Sequence, residues 1–240
     1  MIVEVCVDSL ESAIIAKKAG ADQVELVSES SIGGLTPSLG MTELVLKNGI
    51  KTMVMVRPRA AGFNYSDYDK EVMLADVKLF KEIGAQGVVF GSLNADSTID
   101  YEFTKRIVEA AGDMEIVFHR AFEVVKDKVS AAKELKKCGV TRILTKGGNS
   151  LIDGADIIRE ILKENDRPEI ISGGIRPNTV ELAKDLGLKY VHVSSSRNFT
   201  DTSTSGTGIY FGRENSPIDE IYTIADLEYL TNIIKMIKSK

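Results

Sequence analysis

The chain has 240 residues but only two histidines and two cysteines. Two cysteines in a chain of this length build no disulfide framework, which fits a reducing cytoplasm. The sequence holds no basic tract and no basic helix, and its formal net charge is −5. Those absences argue against a nucleic-acid partner. No apolar stretch approaches the length of a membrane-crossing helix. The opening run Met1–Cys6 carries Glu4 among its apolar residues and has no basic head, so it reads as a strand rather than a signal peptide. A cytoplasmic location, away from membranes, is the expectation. There is also no His-Glu-x-x-His pair and no serine elbow, which leaves no local signature of a metalloprotease or a serine nucleophile.

What the sequence has is alternation. Apolar runs of strand length recur at Ile2–Val7, Gln23–Val27, Thr52–Val56, Gly87–Phe90, Glu115–His119, Arg142–Thr145, Glu169–Ser172 and Tyr190–Ser194. Helical patterns fall between them, near Leu10–Ala19, Leu39–Lys47, Lys70–Ile83, Tyr101–Ala111, Val129–Cys138, Asp153–Lys163 and Asn178–Leu186, with a last one over Ile224–Lys238. Eight β–α units in 240 residues predict an α/β fold, a (β/α)8 TIM barrel spanning 1–240 as one domain. A repeated joint supports the count: a lysine-bearing turn and then a glycine, at Gly20, Gly84, Gly139 and Gly187, before each even-numbered strand. Two connections are long, Arg57–Asp69 and the Ser195–Thr223 segment after strand eight. Both belong to the C-terminal face, where barrel enzymes keep their sites, and the second reads as a mouth loop or lid.

Side chains alternate along a strand, and the outer set must be apolar to pack on helices. With Val3, Val5, Val7, Val24 and Leu26 outside, Glu4, Cys6, Asp8 and Glu25 point inward or to the mouth. The same phase puts both histidines, His119 and His192, inside, together with Tyr190 and Ser194. Glu4, Glu25, His119 and His192 are therefore the candidate proton shuttles, and the alternative is a set of satisfied core residues and internal ion pairs. Strand seven ends in Ser172-Gly173-Gly174 ahead of Pro177, which suits a first helical position, and strand eight ends in three serines, Ser194–Ser196. Strand six ends in Lys146-Gly147-Gly148. Gly147, Gly148, Gly173, Gly174 and Ser194, with Arg57, Arg59 and Lys146 as cations, are the candidate cradle for a small anionic or phosphorylated ligand. A tight strand-to-helix turn that binds nothing is equally compatible with the Gly173–Gly174 stretch alone.

Metal binding has a weaker signature. His119 and His192 with a carboxylate suit a borderline ion, and Cys6 with Met53 or Met55 and His119 suits copper(I), since odd-numbered strands share barrel layers. Ordinary core packing explains the same methionines and cysteine. Cys6 lies beside inward acids, which raise rather than lower a thiol's pKa. Cys138 belongs to the opposite face and should not reach it.

Several stretches together resemble the CutC family: Glu4-Val5-Cys6-Val7-Asp8-Ser9, Gly33-Gly34-Leu35-Thr36-Pro37-Ser38, Arg57-Pro58-Arg59 with Phe63 and Tyr65-Ser66-Asp67, Gly87-Val88-Val89-Phe90-Gly91, Phe118-His119-Arg120-Ala121-Phe122, and Leu144-Thr145 with Gly147-Gly148. The resemblance runs from residue 1 to about Ser194, and the segment beyond looks particular to this chain. It implies an eightfold barrel, a cytoplasmic protein connected with copper tolerance, and self-association into a homo-oligomer. Carried over residue by residue, it implies mouth positions at Glu25, Arg57, Arg59, His119, Arg120, Thr145, Gly147 and Gly148, with Arg120 joining the candidate anion-binding cations. Val27 stands where many relatives carry a cysteine, and Lys146 where a small residue is common. Two functions stay open: copper handling with Cys6 as a ligand, and a barrel enzyme doing isomerase- or lyase-type acid–base chemistry on a small anionic metabolite.

Overall fold

The computed structural model describes residues 1–209 and 220–239. Eight parallel strands close into a barrel in chain order. They are β1 (Ile2–Val7), β2 (Gln23–Leu26), β3 (Thr52–Met55), β4 (Gly87–Phe90), β5 (Glu115–Phe118), β6 (Arg142–Thr145), β7 (Glu169–Ser172) and β8 (Tyr190–Val193). β1 pairs with β8 to close the ring, which sets Glu4 opposite His192. On its other side β1 pairs with β2, with Glu4 opposite Gln23 and Cys6 opposite Glu25. The helices are α1 (Leu10–Lys18), α2 (Leu39–Lys47), α3 (Asp67–Glu82), α4 (Tyr101–Ala111), α5 (Lys128–Lys137), α6 (Leu151–Lys163), α7 (Val180–Asp185) and α8 (Leu227–Lys238). Seven of them start on a Ser or Asp whose side chain accepts a backbone N–H three residues on: Ser9, Ser38, Ser66, Asp100, Asp127, Ser150 and Asp226. Such a cap is worth about 1 kcal/mol.

Two apolar layers follow from strand alternation. Val3, Val5, Val7, Val24, Leu26, Val54, Val88 and Ile143 belong to the layer between ring and helices. Val27, Met53, Met55, Val89, Val117, Leu144 and Ile171 fill the inside of the ring, with Cys6 and Tyr190 beside them. The outward set expected on β1 and β2 is therefore the observed one.

The structure differs from the sequence expectation in three places. α3 begins at Asp67, because Ser66 and Asp69 form a reciprocal cap there. The helix after β7 begins at Val180, so Pro177 is not a first helical residue. Instead Thr179 Oγ1 accepts from Arg176 N at 2.8 Å and donates to Gly174 O at 3.0 Å, which closes a turn ahead of the helix. The segment after β8 is partly regular: Arg197–Thr200 (β9) and Ile221–Ile224 (β10) form an antiparallel ribbon. Phe199 and Tyr222 stack across it, with ring centroids 5.6 Å apart. Ser195, Ser196 and Thr223, at the two ends of the 195–223 segment, line the cavity. Residues 210–219 of that loop lie outside the described residues.

Candidate active site

A cavity of about 820 Å³ opens on the C-terminal face of the ring. Its floor is formed by Cys6, Glu25 and His192, and Asp8, Arg57, His119, Arg120 and Ser194–Ser196 stand around its walls. Met55, Val27, Phe63 and Leu144 supply the apolar part.

His192 sits between two carboxylates. Its Nδ1 is 2.9 Å from Glu4 Oε1, and its Nε2 is 3.7 Å from Glu25 Oε2. Glu4 lies one layer deeper, where Gln23 Nε2 donates to its other oxygen at 2.6 Å. Below that, the guanidinium of Arg142 is fully buried. It pairs with Glu115 Oε2 at 2.7 Å, donates to Met53 Sδ at 3.2 Å and lies 4.7 Å from the Tyr190 ring centroid.

Burial opposes charge on all these groups, and the partners decide the outcome. For Glu4, burial pushes the carboxyl up, but the hydrogen bond and charge of His192, with Arg142 and Gln23, outweigh it and hold the group below its ordinary range. For His192, burial pushes down, while the charge of Glu25 and the bond to Glu4 prevail and raise it. Glu25 is raised, first by burial and then by the repulsion of Glu4, against the opposing pull of His192. Burial, Glu25, Glu4 and Asp8 push the Cys6 thiol far up, so it is not a free thiolate nucleophile.

His119 behaves differently. Burial, then the charge of Arg57, lowers its pKa to about 3, so the ring is neutral. Its Nδ1 accepts from Ala121 N at 3.1 Å, which puts the ring proton on Nε2. Nε2 is buried and makes no hydrogen bond among the described residues, and neither does Glu25 Oε1. The ring lies tilted against Phe63, with centroids 4.7 Å apart, and edge to face with Phe118 at 6.3 Å.

The anion-binding candidates divide. Arg57 borders the cavity, but its guanidinium donates at 2.9 Å to the carbonyls of Ile32, Gly34 and Ala61, tying the loops after β2 and β3 together. Arg59 is turned away from the cavity lining and pairs with Asp69 at 2.9 Å. At the Gly173–Gly174 stretch the stem of Lys146 packs alongside, with Cδ 3.4 Å from where a Cβ on Gly174 would be. Gly147 is needed for close packing on α6, since a Cβ there would sit 2.3 Å from Gly154 O. Gly148, Arg120 and Ser194 do border the cavity.

Cys6, Met55 and His119 of the suggested copper layer all border the cavity. Among the described residues, donor atoms of Cys6, Glu25 and His192 lie within 4.8 Å of one another. Sequence reasoning missed Gln23, Arg142 and Glu123. The first two follow from the same period-two rule that found Glu25, because they occupy the inward phase of β2 and β6. Glu123 was invisible, since it reaches the site from a single turn after β5, accepting from Lys146 N at 2.6 Å and Thr145 Oγ1 at 3.0 Å.

A closed parallel barrel with a polar, titratable cavity at the C-terminal ends of its strands defines the (β/α)8 class whose sites sit at that face. The CutC family model matches residues 1–197, and the chain belongs to the CutC family. A CutC family protein of Treponema denticola is 41% identical over 239 residues, covering 97% of each chain, and one of Glaesserella parasuis is 36% identical over 99% of each. Those alignments run past Ser194, so the C-terminal segment is not particular to this chain. The crystal structure of a CutC protein of Streptococcus agalactiae, described in terms of copper homeostasis, superposes with a TM-score of 0.75 at 29% identity, covering 80% of this chain and 97% of that one. No helix among the described residues is long and apolar enough to cross a membrane.

Proposed function

We propose that this CutC family chain is an enzyme that moves a proton at the carbon next to a carbonyl group of a small polar metabolite. The observation that carries it is His192 bracketed by Glu4 and Glu25 at the floor of an open cavity. Glu25 is the base. Its raised proton affinity suits a carboxylate that must take a proton from carbon, and Oε1 is its free oxygen. The C–H electron pair moves towards the carbonyl, whose oxygen gains negative charge. His119 Nε2–H is the donor for that oxygen, and a neutral imidazole is well matched to an enolate-like oxygen. His192, fixed through Nδ1 by Glu4, adjusts the proton affinity of Glu25 through its charge. Where the α-carbon bears a hydroxyl, transfer of the hydroxyl proton to the former carbonyl oxygen and return of the abstracted proton to the former carbonyl carbon complete an isomerisation between hydroxy-aldehyde and hydroxy-ketone.

The test is proton exchange. Unphosphorylated and phosphorylated hydroxy-aldehydes and hydroxy-ketones of three to six carbons are incubated with the protein in deuterated water, and loss of the α-proton signal is followed by NMR. Exchange that disappears in Glu25→Gln supports the reading. No exchange above the Glu25→Gln background with any compound refutes it.

A second reading, copper binding, is favoured by the proximity of Cys6, Glu25 and His192 donors. One thiol, one imidazole and one carboxylate form a mixed donor set, and a bound ion must displace the tightly held Cys6 proton. Anaerobic copper(I) titration distinguishes it: binding that Cys6→Ser weakens by a factor of ten or more supports a specific site, and binding that is indifferent to it does not.

A further inference from the structure

Charge around the mouth is sorted by strand. Asp8 and Glu25 border the cavity from the β1 and β2 side, and Ser30 donates to Asp8. The opposite side carries cations in three successive connections: Arg120 after β5, Lys146 after β6 and Arg176 after β7. Among the described residues, neither Arg120 nor Lys146 takes part in an ion pair or a side-chain hydrogen bond, and Arg176 gives one side-chain bond, to the neighbouring carbonyl of Ile175 at 2.8 Å. The nearby carboxylate does not neutralise them by contact, because Glu123 has both oxygens committed to Lys146 N and Thr145 Oγ1. The three cations feel one another. After burial, it is Arg120, and further down Arg176, that lower the proton affinity of Lys146, against the opposing charge of Glu123. Such unpaired like charges repel, and an anion between them relieves the cost.

The arc ends in hydroxyls. Ser194, Ser195 and Ser196, directly after β8, border the main cavity and also a second cleft shared with Arg176, Pro177 and Tyr229. No carboxylate borders that cleft among the described residues. Arg120 on the main cavity, Arg176 on the second cleft and the three serines shared by both, with the charge of Lys146 from the connection between them, suit a tetrahedral oxyanion with several free oxygens better than a planar carboxylate.

We infer that the Arg120–Lys146–Arg176 arc, with the serines after β8, is the binding site for the phosphate group of a phosphorylated substrate. It rests on the acid–base reading for the other end of that substrate: the phosphate lies at the β5–β8 rim and the reacting carbons face Glu25 and His192. The site is made by side chains, with the stem of Lys146 beside the Gly173–Gly174 turn that the sequence suggests.

Inorganic phosphate is the probe, titrated into the full chain and followed by phosphorus NMR line width and by thermal shift. The wild-type protein should bind it saturably. The double variant Arg120→Gln/Lys146→Gln should weaken binding at least tenfold, while Lys133→Gln/Lys137→Gln on the outside of α5 should change it less than twofold. Glu25→Gln should also stay within twofold, which separates this site from the chemistry: phosphate binding without any α-proton exchange upholds the rim site and refutes the acid–base reading. Absence of saturable binding overturns the inference. So does a rim variant that binds as well as wild type, which would mark an adventitious ion only. All substituted cations are at least partly exposed, so the variants should fold, and circular dichroism verifies it.

Discussion

His192 Nδ1 and Glu4 Oε1 are 2.9 Å apart although 188 residues separate them in the chain. The contact exists because β8 closes on β1 with those two residues in register. It couples the last strand of the ring to the first through a buried charge pair, and it orients the imidazole towards Glu25.

Replacing Glu4 by Gln should therefore destabilise the fold, by about 3–5 kcal/mol at most, because His192 loses the nearer of its two carboxylates while Glu25 stays. The pH dependence has a definite sign. Glu4 is held below its ordinary 4.5 and His192 above its ordinary 6.5. The stabilisation is fully present between those ordinary values, falls away as pH drops through the lowered value of Glu4, and falls away again as pH rises through the raised value of His192. Urea unfolding from acid to mildly alkaline pH should show both flanks in wild type; Glu4→Gln should lose the acid flank and keep a weaker alkaline one, because Glu25 still raises His192.

His119 makes an independent contribution. Its pKa falls from 6.5 to about 3 on folding, so the unfolded chain binds the proton more tightly. Stability should be intact above pH 6.5 and decline below it by about 1.4 kcal/mol per pH unit from this one group. His119→Asn, which keeps an acceptor near Ala121 N, should remove that slope. An unchanged slope would show the ring to be solvated.

Gly91 sets the depth at which that ring can sit. A Cβ there would lie 2.4 Å from His119 Nδ1 and 2.9 Å from the Ala121 Cβ. Gly91→Ala should cost about 1–3 kcal/mol by overpacking. It should also lower proton-exchange activity by displacing Nε2. Denaturant midpoint and exchange rate report the two effects separately.

Glu25→Gln keeps the shape of the floor and removes the base. Exchange should fall by about 10²–10⁴-fold, the range for losing a general base. Stability should change little or rise, since burial penalises the ionised Glu25 carboxylate, and the lost attraction of His192 is partly offset by relief of the repulsion from Glu4.

Much of this was readable from alternation alone. Once Val3, Val5 and Val7 are outside, Glu4 and Cys6 must be inside, and the same rule brings in Glu25, His119 and His192. The ring that joins them follows from eight repeating units. The rule fails where strands end. Arg57 and Arg59 both follow β3, but the first is spent on backbone carbonyls and the second on Asp69, and loop geometry alone decides that. Nothing local to the Gly173–Gly174 turn reveals that the stem of Lys146, from the connection after β6, packs beside it. Gln23 and Arg142 obey the rule, yet a polar residue at the first position of a strand is easily taken for a loop residue.

The most direct test uses the scarcity of histidine. With only two in the chain, the imidazole NMR spectrum has two sets of signals. Across a pH titration, one histidine, assigned to His192 by its loss in His192→Asn, should titrate above 6.5 in wild type and move down in Glu4→Gln, while the other stays neutral until about pH 3 or until the protein unfolds. A His192 that titrates at or below 6.5, unmoved by Glu4→Gln, would contradict the carboxylate-bracketed imidazole on which the functional reading stands.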